Sequence, residues 1–275
     1  MVKRLATAII AIVAVVLGLG YLPHWLLHQW VVLVIFTVLV SEWLSLSGWR
    51  RFSNTEKTIW GLVAVVTGVC IAFIFGDRTQ SVPQYVFQWL IAIDWLVCFL
   101  AVLLIRPDRL RVLIPSSWLC IFGILLIGGS LHSIAYLFLN TSLTTFIGLL
   151  AIIWLIDSGA FFVGKLIGKT PFFNHISPNK TLEGFIGGCV FGIVASIVLL
   201  AIDDSFLRLT TIWYMVPIMI VCAVLGDLFF SAMKRVAKVK DTSNLLPGHG
   251  GVLDRFDSIL PTTAILSLMP MPGLT

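Results

Sequence analysis

Charge is scarce in this chain. Only 11% of its 275 residues are Asp, Glu, Lys or Arg, and 59% are hydrophobic. A soluble domain carries about 25% charged residues, so that class is excluded. Paired cysteines are missing as well. Cys70, Cys98, Cys120, Cys189 and Cys222 all fall in apolar runs, and none forms a Cys-x-x-Cys pair. A disulfide framework and a zinc site are therefore not expected, and these residues read as small buried hydrophobes. No polar segment is long enough for a separate soluble domain, and there is no repeat or low-complexity tract. The net charge of +5 does not point to nucleic acid, because most basic residues lie between apolar runs, where they set membrane topology.

In place of charge the chain has apolar runs of about 20 residues, the length of a transmembrane helix. The runs predict an all-α, polytopic transmembrane helical bundle of about nine spans. Their cores are 5–21, 25–46, 59–76, 85–105, 117–139, 144–163, 184–202, 213–230 and 256–269. The last is short and is followed by Pro270 and Pro272, so it is expected to be distorted or to cross only partly. Lys3 and Arg4 before the first run resemble a secretory leader, but the run is too long, and a retained span is expected. Basic residues concentrate in alternate loops: Lys3 and Arg4, Arg50 and Arg51, Arg106 to Arg111, Lys165 to Lys180, and 234–240. The positive-inside rule then places the N-terminus and these loops in the cytoplasm. Residues 1–140 read as N-terminal transmembrane helices. Residues 141–275 read as a catalytic region with two cytoplasmic loops.

The one long polar stretch is 231–257. Asp227 precedes it, near the end of an apolar run. A carboxylate inside a membrane costs a few kcal/mol and needs a partner or a wet cavity. Asp227, Ser231, Lys234 and Lys238 recur at steps of four, three and four, so a continued helix puts them on one face. Pro247-Gly-His-Gly-Gly251 cannot be regular helix, and its glycines let backbone N–H groups approach an anion. Asp254 and Asp257 follow on the return into the membrane. Asp227 and Asp254 are thus expected to meet at one depth and share a cation. Mg²⁺ suits such oxygen ligands and bridges phosphates, whereas His249 lacks the Cys or His neighbours zinc requires. Taken singly, each feature has a plainer reading: topology charges, a structural ion pair, a tight turn. Their grouping at one membrane face favours phosphate chemistry on a lipid.

Ser231-x-Met233-Lys234-Arg235-x-x-x-x-Lys240-Asp241, followed by Pro247-x-His249-Gly250-Gly251-x-x-Asp254-Arg255-x-Asp257, resembles the C-terminal hallmark of the phosphatidate cytidylyltransferases (CDP-diacylglycerol synthases). A second stretch is similar to that family: Asp157-Ser-Gly-Ala-Phe-x-x-Gly164-x-x-x-Gly168-Lys169, then Ser177-Pro178-x-Lys180-Thr181-x-Glu183-Gly184. The resemblance covers roughly the C-terminal half. It implies transfer of a cytidylyl group from CTP to phosphatidate with release of pyrophosphate, in phospholipid biosynthesis. It also implies a multi-span helical fold, Mg²⁺ with K⁺ in addition, a homodimer in the bilayer, and metal-binding roles for Asp227 and Asp254. Asn179 departs from the family, whose members often carry lysine there. A bacterial inner membrane, with the site on the cytoplasmic face, is the expected location.

On this reading Lys234, Arg235, Lys240 and Arg255 neutralise phosphates, with Asp241 and Asp257 in the same catalytic stretch. Ser231, Gly250 and Gly251 bind substrate, and Lys169, Ser177, Lys180 and Thr181 close the site from the other loop. Asp157 and Glu183 orient these cations or add a ligand. His249 either donates to the leaving pyrophosphate or locks its loop. Glu42 and Asp94 have no motif around them and are expected to pair structurally. His24, His28 and His132 receive no role, and His175 reads as loop structure. Two alternatives share the composition: a secondary transporter, whose site would lie near the midplane, and a lipid or polyprenol kinase, which would transfer the γ-phosphate. No Asp-Gly-x-x-Ala-Arg run is present, which argues against a CDP-alcohol phosphotransferase.

Overall fold

A computed structural model of the chain describes residues 24–48, 52–74, 82–107, 109, 114–202, 209–246 and 250–269. Among these residues the structure is helical, without a named strand. The helices are α1 (His24–Leu46), α2 (Asn54–Ile74), α3 (Val82–Leu104), α4 (Ser116–Asn140), α5 (Leu143–Ile167), α6 (Leu182–Ile202), α7 (Leu209–Ala237), α8 (Leu253–Phe256) and α9 (Ile259–Leu266). Five of them, α3 to α7, are long and apolar enough to cross a membrane. The expected first span, 5–21, lies outside the described residues.

Apolar side chains are exposed along the outer faces: Leu62 and Val65 on α2, Trp89 and Leu96 on α3, Val190 and Val194 on α6. A soluble monomer rarely exposes such a continuous apolar surface. In a bilayer it needs no cover, because helices satisfy their own backbone groups.

Two packing arrangements position the site. The first is an aromatic cluster inside α1, α3, α4 and α7. Trp43 stacks on Phe229 with centroids 6.0 Å apart, and Trp95 meets Phe229 edge-on at 5.7 Å. The indole N–H of Trp43 donates to the Leu119 carbonyl at 2.8 Å, and that of Trp95 to Ser130 Oγ at 2.8 Å. These bonds orient the two indoles, whose ring contacts with Phe229 pack α7 just past Asp227. The second is the antiparallel pair α5 and α6, joined by the 168–181 loop. Gly184, Gly188 and Gly192 recur every fourth residue on α6 and face α5. A Cβ on Gly184 would lie 2.7 Å from the Ala160 carbonyl, and one on Gly188 2.9 Å from that of Ile156. Small residues at this spacing let membrane helices touch backbone to backbone, where lipid supplies no hydrophobic drive.

The C-terminal segment differs from a full span. α8 stops at Phe256, and α9 has eight residues, a rise of about 12 Å against a hydrocarbon core of about 30 Å. Most of α9 is buried between α4 and α7. Asp257 and Ser258, between α8 and α9, keep right-handed helical dihedrals and carry polar groups of the site.

Candidate active site

α7 continues to Ala237, two turns past the expected apolar core, and so carries Asp227, Ser231, Lys234 and Arg235 on one rigid element. The Ser231 hydroxyl donates to Asp227 Oδ1 at 3.2 Å, as the four-residue step predicts. The helix then ends earlier than the stripe requires. Lys238 has φ +59°. Its N–H donates to the Arg235 carbonyl, and the Val239 N–H to the Lys234 carbonyl. This is a Schellman stop, usually made by glycine. Lys238 therefore leaves the face that Asp227, Ser231 and Lys234 share, contrary to the four-residue stripe expected from spacing.

Lys234 Nζ donates to Asp254 Oδ1 at 2.7 Å. The other oxygen, Oδ2, accepts from the Thr242 N–H at 2.9 Å and the Gly251 N–H at 2.9 Å, and lies 3.0 Å from the Thr242 hydroxyl, whose one proton is shared with Glu42. Burial would raise the Asp254 pKa, but the Lys234 ammonium and these N–H donors outweigh it and hold the carboxyl below its ordinary 3.8. Asp254 is thus both an acid of the site and the organiser of the 238–253 loop. Gly250 has φ +82°, where a side chain is strained. A Cβ on Gly251 would lie 1.9 Å from Thr242 Oγ1, so this glycine serves close packing. Its N–H goes to Asp254, not outward. His249, together with Pro247 and Gly248, lies outside the described residues.

The second loop arrives from α5 and α6. Lys180 Nζ lies 2.7 Å from Asp227 Oδ2. Thr181 Oγ1 accepts from the Gly184 N–H at 3.1 Å and so caps α6 at its start. The Glu183 carboxylate accepts from the Lys169 N–H and from both the N–H and hydroxyl of Thr170. It braces the loop and does not face the acids of the site. Phe172 stacks on Phe185 with centroids 5.3 Å apart. The Ile176 carbonyl accepts from Arg235 Nε at 3.4 Å, which joins this loop to α7 beside Ser177. Lys169, Lys240, Asp241 and Arg255 are exposed around the rim.

Beneath the two lysines lie three more carboxylate relationships. Asp157, on α5, accepts from the Ser258 hydroxyl at 2.6 Å. The Asp257 carboxylate accepts from the Ser258 N–H at 2.8 Å. Asp157, Asp227 and Asp257 each lie within the field of another, opposed by Lys180 and Lys234. Asp254 joins this group through Lys234. Asp157, Asp227, Asp254 and Asp257 with Lys180 and Lys234 gather four carboxyl groups beside two ammonium groups.

Carboxyl groups at close range repel one another when ionised, and either protons or a bound cation relieve that repulsion. Among the described residues no three acidic, His or Cys side chains converge to enclose a metal by themselves. Mg²⁺ does not need them to: it takes one or two carboxylates and completes its shell with water and phosphate oxygens. The donors present fit that ion.

Sequence spacing brought forward Asp227, Ser231, Lys234, Lys180 and Asp254; the structure joins Ser231 and Lys180 to Asp227, and Lys234 to Asp254. It underrated Asp157, which sits among the acids. It missed Thr242 and Ser258, and it expected Glu42 to pair structurally without naming a partner. The Glu42 carboxylate on α1 accepts four hydrogen bonds from the 242–253 loop. The available signal was that an ionisable residue in a membrane span is rarely idle.

The sequence profile of the cytidylyltransferase family matches residues 2–271. The phosphatidate cytidylyltransferase of Staphylococcus saprophyticus is 30% identical over 278 residues, covering 97% of each chain. That of Staphylococcus aureus is 30% identical over 284 residues, again 97% of each. That of Bacillus subtilis is 49% identical over 114 residues, 40% of each. With a profile match along nearly its whole length and such relatives, the chain belongs to the cytidylyltransferase family.

Proposed function

We propose that this protein transfers the cytidylyl group of CTP to phosphatidate, forming CDP-diacylglycerol and pyrophosphate. The observation that carries the reading is the cluster of four carboxylates and two lysines where α5, α7 and the 254–258 segment meet. A phosphate monoester is largely dianionic at neutral pH, its second pKa being about 6. One of its oxygens forms a bond to the α-phosphorus of CTP as the bond to the bridging oxygen of pyrophosphate breaks. No proton needs to be removed from the nucleophile. The obstacle is repulsion between two polyanions, so catalysis is positioning and charge neutralisation.

The chain's own groups suit that task. Lys180 and Lys234 are each held by an aspartate and can exchange it for a phosphate oxygen. Arg235, Lys240 and Arg255 at the rim add charge for the triphosphate or the lipid headgroup, with Lys169 and Ser177 from the other loop. Asp227 and Asp254 are the residues that would hold Mg²⁺, with Asp257 and Asp157 adding field behind them. Bound there, Mg²⁺ neutralises and orients the phosphates. K⁺ is a further expected occupant.

The finer topology belongs to the same reading: about nine spans, a cytoplasmic N-terminus, both loops on the cytoplasmic side where CTP is found, a bacterial inner membrane, and a homodimer. The alternation of basic loops supports the orientation.

The test uses purified, detergent-solubilised protein with labelled CTP and phosphatidate, with and without Mg²⁺. Labelled CDP-diacylglycerol and an equivalent of pyrophosphate are expected only with Mg²⁺, and Asp227→Asn should abolish both. Release of a γ-phosphate product, or solute uptake into vesicles without a covalent product, overturns the proposal.

A further inference from the structure

Glu42 lies on α1, in the half of the chain that carries none of the sequence motifs, and is 4% exposed. Among the described residues its carboxylate accepts from donors of the loop. Oε1 accepts from the Ser243 hydroxyl at 2.6 Å and the Val252 N–H at 3.0 Å. Oε2 accepts from the Thr242 hydroxyl at 2.9 Å and the Leu253 N–H at 2.7 Å. One side chain thus grips both ends of the loop, 242–243 and 252–253, and closes it around the glycine turn. The same Thr242 hydroxyl lies 3.0 Å from Asp254 Oδ2, and Leu253 is the residue before Asp254. Trp43, next to Glu42 and fully buried, is pinned to Leu119, so the grip is anchored in the bundle core.

We propose that Glu42 is a positioning residue for the cytidylyl-transfer site, setting the placement of Asp254 and of the Lys234 it holds. The inference rests on the function proposed above. All four partners are donors, and an ionised carboxylate is acceptor-only. The position therefore demands a carboxylate and not merely a polar side chain. Glutamine would turn an NH₂ group toward one backbone N–H, which cannot accept, whichever way it is flipped, although the hydroxyl beside it can. Asparagine or alanine would leave more of them unmet. Aspartate keeps the charge and falls about one methylene short.

The experiment compares wild type, Glu42→Gln, Glu42→Asp, Thr242→Val and Thr242→Ser in detergent, each normalised to monodisperse folded protein. Readouts are kcat, KM for CTP and for phosphatidate, and hydrogen exchange of the loop amides. Glu42→Gln should lower kcat per folded molecule by about tenfold to a hundredfold, the range for misplacing a catalytic group by about 1 Å. Its Val252 and Leu253 amides should exchange faster. Glu42→Asp should recover part of kcat. Thr242→Val, which keeps the backbone N–H bond to Asp254 and removes the hydroxyl lying between Glu42 and Asp254, should lower kcat in the same direction, and Thr242→Ser should restore it. Faster loop exchange in Glu42→Gln with kcat and both KM values unchanged would reduce Glu42 to a structural brace and overturn the proposal. If Glu42→Gln does not fold, unchanged kcat in Thr242→Val overturns it equally. A wild type that forms no CDP-diacylglycerol would instead remove the parent reading.

Discussion

Gly226 offers a test in which position and stability are separable. It precedes Asp227 on α7 and faces the segment that carries Asp257. A Cβ there would lie 2.3 Å from Pro261 Cγ and 2.5 Å from the Asp257 carbonyl oxygen. Neither atom can yield alone: one belongs to a proline ring inside α9 and the other to the backbone. Ordinary contact begins near 3.5 Å, so Gly226→Ala must part α7 from 257–261 by about 1 Å. In stability the change is small. Alanine gains about 1 kcal/mol of helix propensity over glycine, and overpacking costs about 1–3 kcal/mol. The net lies between about 0 and 2 kcal/mol, a few degrees in midpoint for a chain of this size. In catalysis the same 1 Å spreads Asp227 from Asp257 and costs about a hundredfold.

The expected result is a folded, monodisperse Gly226→Ala protein with kcat down about a hundredfold. The assay is labelled CDP-diacylglycerol formation under saturating CTP, phosphatidate and Mg²⁺. Gly61→Ala is the control: a Cβ at Gly61 meets nothing within 4 Å, so it should keep wild-type kcat and gain slightly in stability. A Gly226→Ala enzyme with wild-type kcat would refute the claim that the spacing of α7 and the 257–261 segment sets the rate.

The Asp254 carboxyl is held below its ordinary 3.8 by Lys234 and loop N–H donors. Its contribution is therefore complete above the unfolded value and lost as pH falls through the lower, folded one. Wild type should show a falling thermal midpoint in the acid region below 3.8, and Asp254→Asn a flatter acid limb, starting from a lower neutral-pH midpoint because the partly buried Lys234 loses the carboxylate it is bonded to, a loss of about 1–3 kcal/mol. Equal acid slopes in the two proteins would contradict the assignment. Gly188→Leu should prevent α5 and α6 from seating against each other, since even a Cβ would lie 2.9 Å from the Ile156 carbonyl. The expected outcome is loss of monodisperse protein on size-exclusion chromatography, and recovery of a normal peak would contradict it.

Much of the fold was legible because membrane helices announce themselves by length and hydropathy, and five of the expected runs coincide with α3 to α7. The exceptions have physical causes. Residues 256–269 read as a span by composition, yet α8 and α9 are joined at Asp257 and Ser258, which keep helical dihedrals, and Ser258 there donates to Asp157, a contact about which periodicity carries no information. Lys238 read as helical because charge spacing continued the stripe, but a non-glycine residue in the left-handed region is set by the turn it must make, which its identity does not disclose. The motif residues were legible because phosphate and cation chemistry restricts residue type at fixed spacing. Lys180 and Asp227, 47 positions apart, were placed at one membrane face by topology alone.

The partner of the glycine loop was not legible in the same way. Glu42 and Asp94 are both lone acids in apolar helices, and sequence treats them alike. The difference arises in three dimensions. Glu42 faces a loop some 200 residues away that presents two hydroxyls and two backbone N–H groups. Backbone donors leave no trace in side-chain identity, so a carboxylate that recognises them has no motif to betray it. In a membrane enzyme whose loop must be both glycine-rich and rigid, the rigidity has to be imported from a neighbouring helix. A buried carboxylate is well suited to that task, because it accepts four bonds at once and leaves no donor of its own to satisfy.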